Sequence, residues 1–222
     1  MSLLKISNYS SPQLDSQFKN LAQKLSMLLA TEGIRCKPYD DGLPYFSVLD
    51  DSKKAEINQH LQFTIDLCKE QMSDGYKLSD NLTFTWRVFR KLGWAPKSDL
   101  FNNITDEDVL EIYSLDNRQL YRNLRFYDYC SYSLEALHSL EWWNLWDRDA
   151  QVVEKLFETV SKIFSGEIRE TVSPGVSQHV IKEKASADKL SISYEVRYIS
   201  PLAYHGQTEG VIAVQRGQLI HN

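Results

Sequence analysis

The feature that most constrains this chain is a change of hydrophobic period. Residues 177–184 (SQHVIKEK), 190–199 (LSISYEVRYI) and 210–215 (GVIAVQ) alternate with the two-residue period of a strand. Ser186-Ala187-Asp188 and His205-Gly206-Gln207 supply turn chemistry between them. Two further strands are predicted at 109–115 (VLEIYSL) and 119–122 (QLYR), with Asp116-Asn117 as their hairpin turn. Between the two groups, Val153, Leu156, Phe157, Val160 and Phe164 fall on one side of a helix predicted from Ala150 to Phe164, which Gly166 closes. Two strands, helices, then three strands predict an α+β architecture: a five-stranded antiparallel sheet with helices on one face.

The first half has the helical period instead. Ser11-Pro12 opens a helix, because Ser caps the orphan amides and Pro has no amide to lose. Leu14, Phe18, Leu21, Leu25 and Leu28 then form one stripe, and Gly33 ends it. A second helix is predicted from about Ser52 to Ser73, with Ile57, Leu61, Ile65, Cys68 and Met72 on one face. A third, from about Asp80 to Leu92, carries Leu82, Trp86 and Phe89 before Gly93. Turn residues from Ala95 to Asp99 and the polar run 102–108 divide the chain into an N-terminal helical unit, 1–100, and a second domain, 101–222. The Leu14 to Leu28 stripe is coiled-coil-like, which predicts a homodimer through the N-terminal helices.

Charge and cysteine usage narrow the function classes. With 25 Lys and Arg against 30 Asp and Glu, the chain lacks the basic excess that phosphate neutralisation needs, so direct nucleic-acid binding is not expected. Arg87, Arg90 and Lys91 make only a small basic patch. Cys36, Cys68 and Cys130 are odd in number and widely spaced, which predicts reduced thiols in a cytoplasm rather than disulfides or zinc ligands. No stretch approaches 18 uninterrupted apolar residues, so no membrane span is expected. Searches for G-x-S-x-G, H-E-x-x-H, a P-loop and G-x-G-x-x-G find none, and Asp147 and Asp149 are read as capping and solvated charge. The chain is therefore read as a non-enzyme.

One ungapped stretch carries a resemblance. Tyr121-Arg122-Asn123, then Phe126, then Ser131-Tyr132-Ser133-Leu134-Glu135-Ala136-Leu137 stand in the order and spacing of a PAS domain, and Asp149 and Gly210 take the places where that family opens its long helix and final strand. The region from about 105 to 218 thus resembles the PAS family. Ser131 and Ser139 replace family glycines, Trp146-Asp147-Arg148-Asp149 lacks the family Pro, and the exit motif to an output domain is absent. The flavin-binding Asn-Cys-Arg-Phe-Leu-Gln motif is missing, and the helix at 150–164 has no His for haem, so neither cofactor nor metal is expected.

The resemblance implies a signal-sensing regulatory protein, acting in signal transduction or transcriptional control, whose pocket binds a small apolar or aromatic ligand or a protein partner. The candidate lining residues are Phe126, Cys130, Trp142, Trp143, Trp146, His179 and Tyr194, with 126–146 as a helical wall against the sheet. Asn123 and Ser133 are expected to cap short helices. Core packing is the competing reading of each tryptophan. The alternative function is a ligand-free dimerisation or protein-interaction module; the expected partners are a small-molecule ligand and a protein partner or output domain.

Overall fold

The computed structural model describes residues 11–115, 119–186 and 188–220. Helices α1 (Ser11–Thr31), α2 (Asp51–Ser73) and α3 (Asn81–Leu92) come first. Asp50 caps α2 by accepting from the Lys53 amide at 2.8 Å, and Asp80 caps α3 through the Thr83 amide at 3.0 Å. Gly93, at φ 70°, takes the left-handed conformation that ends α3. Leu14, Phe18, Leu21 and Leu25 of the α1 stripe are buried, Leu28 is half-buried with Leu29 buried beside it, and α2 adds Ile57, Leu61, Ile65 and Cys68 to the core. Each such side chain contributes about 1.5 to 3 kcal/mol through burial. Because the stripe is covered inside the chain, self-association through α1 would have to use its other, polar face.

Two details of the helical reading change. Met72 is exposed, and in α3 the buried face is Phe84, Val88 and Phe89, while Leu82 and Trp86 are 37% and 50% exposed. The reason is the sheet: Phe84 turns toward it and stacks on Tyr121 with ring centroids 6.3 Å apart. No helix among the described residues is long and apolar enough to cross a membrane.

After β1 (Ala95–Pro96) come β2 (Val109–Ser114), β3 (Gln119–Arg122), α4 (Leu134–Ser139), α5 (Trp142–Leu145), β4 (Trp146–Asp147) and α6 (Ala150–Phe164). The chain then finishes with β5 (His179–Glu183), β6 (Ser191–Tyr204) and β7 (Gln207–Leu219). The fold is α+β, and every strand pairing is antiparallel in the order β3-β2-β7-β6-β5-β4, with β1 added on β6. Among the described residues seven strands replace the expected five, the two additions being two-residue pieces. The expected turn at Asp116-Asn117 lies outside the described residues.

The β6–β7 hairpin is longer than its alternation suggested. His205 and Gly206, at φ 49° and 82°, make a tight turn with two left-handed residues, whose twist suits a long hairpin. Pro201 is tolerated within β6 because it falls between the Val172 bridge at Ile199 and the β1 pairing at Leu202, with a strand partner on the β7 side only.

Register decides what each sheet face carries. Arg122, Glu111, Ala213 and Ile199 are successive cross-strand partners, so they line up on one face; Tyr113 and Val211 form the next such pair. That face meets α5 and α6. The opposite face carries Leu110, Ile112, Ile212 and Val214, all buried, and Tyr121, opposite Ile112, meets α3. Helices on one face is therefore corrected to helices on both.

The two halves of the chain share one hydrophobic cluster. Leu100, Ile104 and Asp108 are buried, which anchors the polar stretch expected to be a linker. Asn123 does not cap a helix. Its Oδ1 accepts from the Leu110 amide at 3.0 Å, and its Nδ2 donates to Asn81 Oδ1 at 2.7 Å and to the Asp108 carbonyl at 2.8 Å, joining α3 to the sheet. Ser133 does cap, accepting from the Ala136 amide at 3.2 Å.

Glu135, on α4 and fully buried, accepts from the amides of Asp40, Tyr45 and Phe46 at 3.1, 2.8 and 3.0 Å. It thereby holds the α1–α2 connection onto α4. Glu135→Ala strands these donors and should lower unfolding free energy by about 3 to 5 kcal/mol in urea titrations, with a smaller loss for Glu135→Gln, which keeps an acceptor oxygen. Equal, small losses in both variants would mean that the carboxylate does not organise this junction.

Candidate functional site

The site begins with a charged residue in an apolar strand. In VLEIYS, alternation places Glu111 on the sheet face that meets α6, where only 7% of its surface stays exposed. A carboxylate there needs partners. Glu111 Oε1 accepts from Arg122 Nε at 3.2 Å and Gln119 Nε2 at 2.6 Å, and Oε2 accepts from Gln215 Nε2 at 2.7 Å. Arg122 also donates to Gln119 Oε1. Burial opposes the charge on Arg122, but Glu111 beside it raises its pKa, so the guanidinium stays protonated.

The floor passes its order upward through aromatic rings. The Arg122 guanidinium lies 4.0 Å from the centroid of Phe126, which meets Trp146 edge-on at 6.1 Å. Tyr132 meets the same indole edge-on at 5.7 Å. Its hydroxyl donates to the Leu145 carbonyl and accepts from the Lys184 and Ala185 amides at 3.0 and 3.1 Å. The aromatic run at 126–146 is thus a pinned wall.

Between this wall, the sheet and α6 lies a cavity of about 80 Å³. Val196, Ile199, Val211 and Ala213 line its sheet side; Leu156, Phe157 and Val160 line its α6 side; Trp142 and Trp146 close one end. Trp142 touches both sides, with centroids 6.2 Å from Tyr113 and 5.5 Å from Phe157. The polar lining is Glu111, Gln215, Tyr113, Tyr194 and Arg148. Burial, and then the Glu111 charge, push both tyrosine pKa values well up, so the phenols remain neutral. Asp149 begins α6 as its cap, accepting from the Gln151 and Val152 amides at 2.8 and 3.3 Å. Arg148, one residue earlier, lies over the Tyr194 ring at 5.6 Å.

Of the residues expected to line a pocket, Trp142, Trp146 and Tyr194 border this cavity. The other four do not. Phe126 stands behind Trp146, and Trp143 is 46% exposed, its ring 5.6 Å from Trp142. His179 meets Tyr194 edge-on at 6.3 Å, with Nδ1 against the Ser177 carbonyl at 3.0 Å. Cys130 is a partly buried free thiol whose pKa burial raises, as burial does to about 12 for Cys36 and Cys68.

Sequence reasoning missed Glu111, Tyr113, Arg148 and Gln215. Glu111 had a signal, since an isolated carboxylate inside an alternating apolar strand must be buried and paired whenever both faces are covered. Arg148 was read only as a spacer between two aspartates. No protein-family model matches the chain, and no curated protein or solved structure matches it.

Breaking the floor pair should be costlier than deleting it. Glu111→Leu leaves Arg122 buried without its countercharge and should cost about 3 to 5 kcal/mol, whereas Glu111→Leu with Arg122→Met should recover most of that loss. Chemical denaturation of the wild type and both variants measures this, and a double variant no more stable than the single one contradicts the pairing.

Proposed function

We propose that this chain is a PAS-like sensory module that binds a small apolar or aromatic molecule between α6 and the sheet and reports its presence through the helices. One observation carries the reading: α6 has an apolar face that the protein leaves unfinished. Only Thr159 and Ile163 of its fifteen residues are buried; Leu156, Val160 and Phe164 are half-buried, and Phe157 is 37% exposed. A helix with so clear a stripe ordinarily buries it against a core. Here the stripe overlies a cavity, and a ligand would complete its burial.

The element order supports the family part of this reading, since two strands, helices and three strands follow one another as the resemblance requires. The five longer strands form the continuous run β3-β2-β7-β6-β5. The lining supports small-molecule binding: it is mostly apolar, with a few convergent polar groups. The engagement of Glu111 by three donors supports binding over acid–base chemistry at that carboxylate. The three free thiols support a reducing, cytoplasmic setting.

A second reading rests on exposed rings at the same end of the domain. Trp143 at 46% and Phe157 at 37% exposure offer an apolar surface to a protein partner, and α6 would then be completed from outside.

Melting temperatures across a panel of single-ring and short acyl compounds separate the readings. At least one compound should stabilise the wild type, by about 2.7 kcal/mol at a hundredfold excess over its Kd. Trp146→Ala, which removes a ring packed on Phe126 and Tyr132, should cost about 3 to 5 kcal/mol. Trp142→Ala should cost less but abolish the ligand shift. No shift in the wild type, with large losses in both variants, would make the tryptophans core and leave the partner surface as the account of α6.

A further inference from the structure

The polar groups of the cavity are unequally satisfied. At the floor, Glu111, Gln119, Arg122 and Gln215 bond to one another. At the other polar edge, Arg148 has a buried Nε without a hydrogen-bond partner, and among the described residues it forms no ion pair. Its neighbours do not supply one. Asp149 is committed to capping α6, and Asp147 stands exposed on β4, opposite Lys182. What holds the guanidinium at the cavity is the Tyr194 ring.

A cation at the edge of an apolar cavity, unpaired and fixed over a ring, is a receptor for an anion. Taking the cavity as the ligand site proposed above, we infer that its ligand is a small monocarboxylate, with the carboxylate on Arg148 and the apolar body between α6 and the sheet. The volume limits that body. At about 80 Å³ the space is smaller than the 150 Å³ kind of cavity that takes benzene, which favours a short branched chain over an aromatic ring. The carboxylate of Glu111 fixes the orientation, since a second anion at the floor would meet a like charge.

Matched acids and amides test this. Isothermal titration of the full chain with isovalerate and isovaleramide, and with isobutyrate and isobutyramide, compares ligands alike in shape but differing in charge. The acid should bind about tenfold or more tightly than its amide, as a charge-assisted pair does relative to a neutral one. Arg148→Gln should bring the acid down to the level of the amide and leave amide affinity within about twofold, at an unchanged melting temperature; Arg148→Lys should keep part of the preference. Should Arg148→Gln melt early, Tyr194→Leu, which removes the ring beneath the guanidinium, should reduce the acid preference in its place. Amides binding as tightly as acids, in a manner lost in Trp142→Ala, would overturn the carboxylate inference and leave the cavity reading standing. No binding by any of the four compounds would overturn both.

Discussion

The ion pair between Glu111 and Arg122 is the constraint on which the rest of the site depends. Glu111 on β2 pairs across the sheet with Arg122 on the edge strand β3, on the face that meets α6, and two glutamines also donate to the carboxylate. Such a pair contributes little net stability compared with an apolar pair, because removing two charges from water offsets most of their attraction. Its contribution here is positional. A guanidinium held flat by a carboxylate provides a platform for Phe126, and Phe126 sets Trp146, so the aromatic wall stands off the sheet instead of collapsing onto it.

The cavity follows from that standoff and from α6. The wall is pinned from below by Arg122 and from the side by Tyr132, whose hydroxyl joins Leu145 to the segment after β5. Helix α6 is held by the Asp149 cap and by buried Thr159 and Ile163. Leu156 and Val160 line the cavity and are only half-buried. A helix whose apolar stripe is only partly packed can shift in response to occupancy, because a ligand that fills the space adds contacts to one position of the helix and not to another.

Much of this was legible in the sequence, for physical reasons that differ by element. Helix α6 was read at its observed bounds because an Asp cap, a clean stripe and a closing Gly all act locally. The β2 and β3 strands were likewise evident from short-range alternation. The faces were not legible, because they depend on what packs from a distance. Tyr121 draws Phe84 inward, so α3 buries a different stripe from the one its largest residues suggested. Asn123 sits where a cap belongs, but the carbonyl of Asp108 and the side chain of Asn81, 42 positions away, claim its amide. Trp142 and Trp146 were recognisable as cavity candidates by their clustering, and Glu111 carried a signal as a lone carboxylate in an apolar strand, while Arg148 was hidden because the significance of its charge lies in whether it finds a partner. Only coordinates reveal that.

The central claim is that an apolar space exists beneath α6 and is open to a small guest. Xenon tests it without presuming a ligand, since the gas enters dry apolar cavities and needs no polar contact. In methyl NMR spectra recorded under rising xenon pressure, the account predicts saturable shifts for Leu156, Val160, Val196 and Val211. The methyls of Leu25 and Leu61, packed in the α1–α2 core, should not move. Unmoved resonances around α6, or equal drift in both regions, would contradict it.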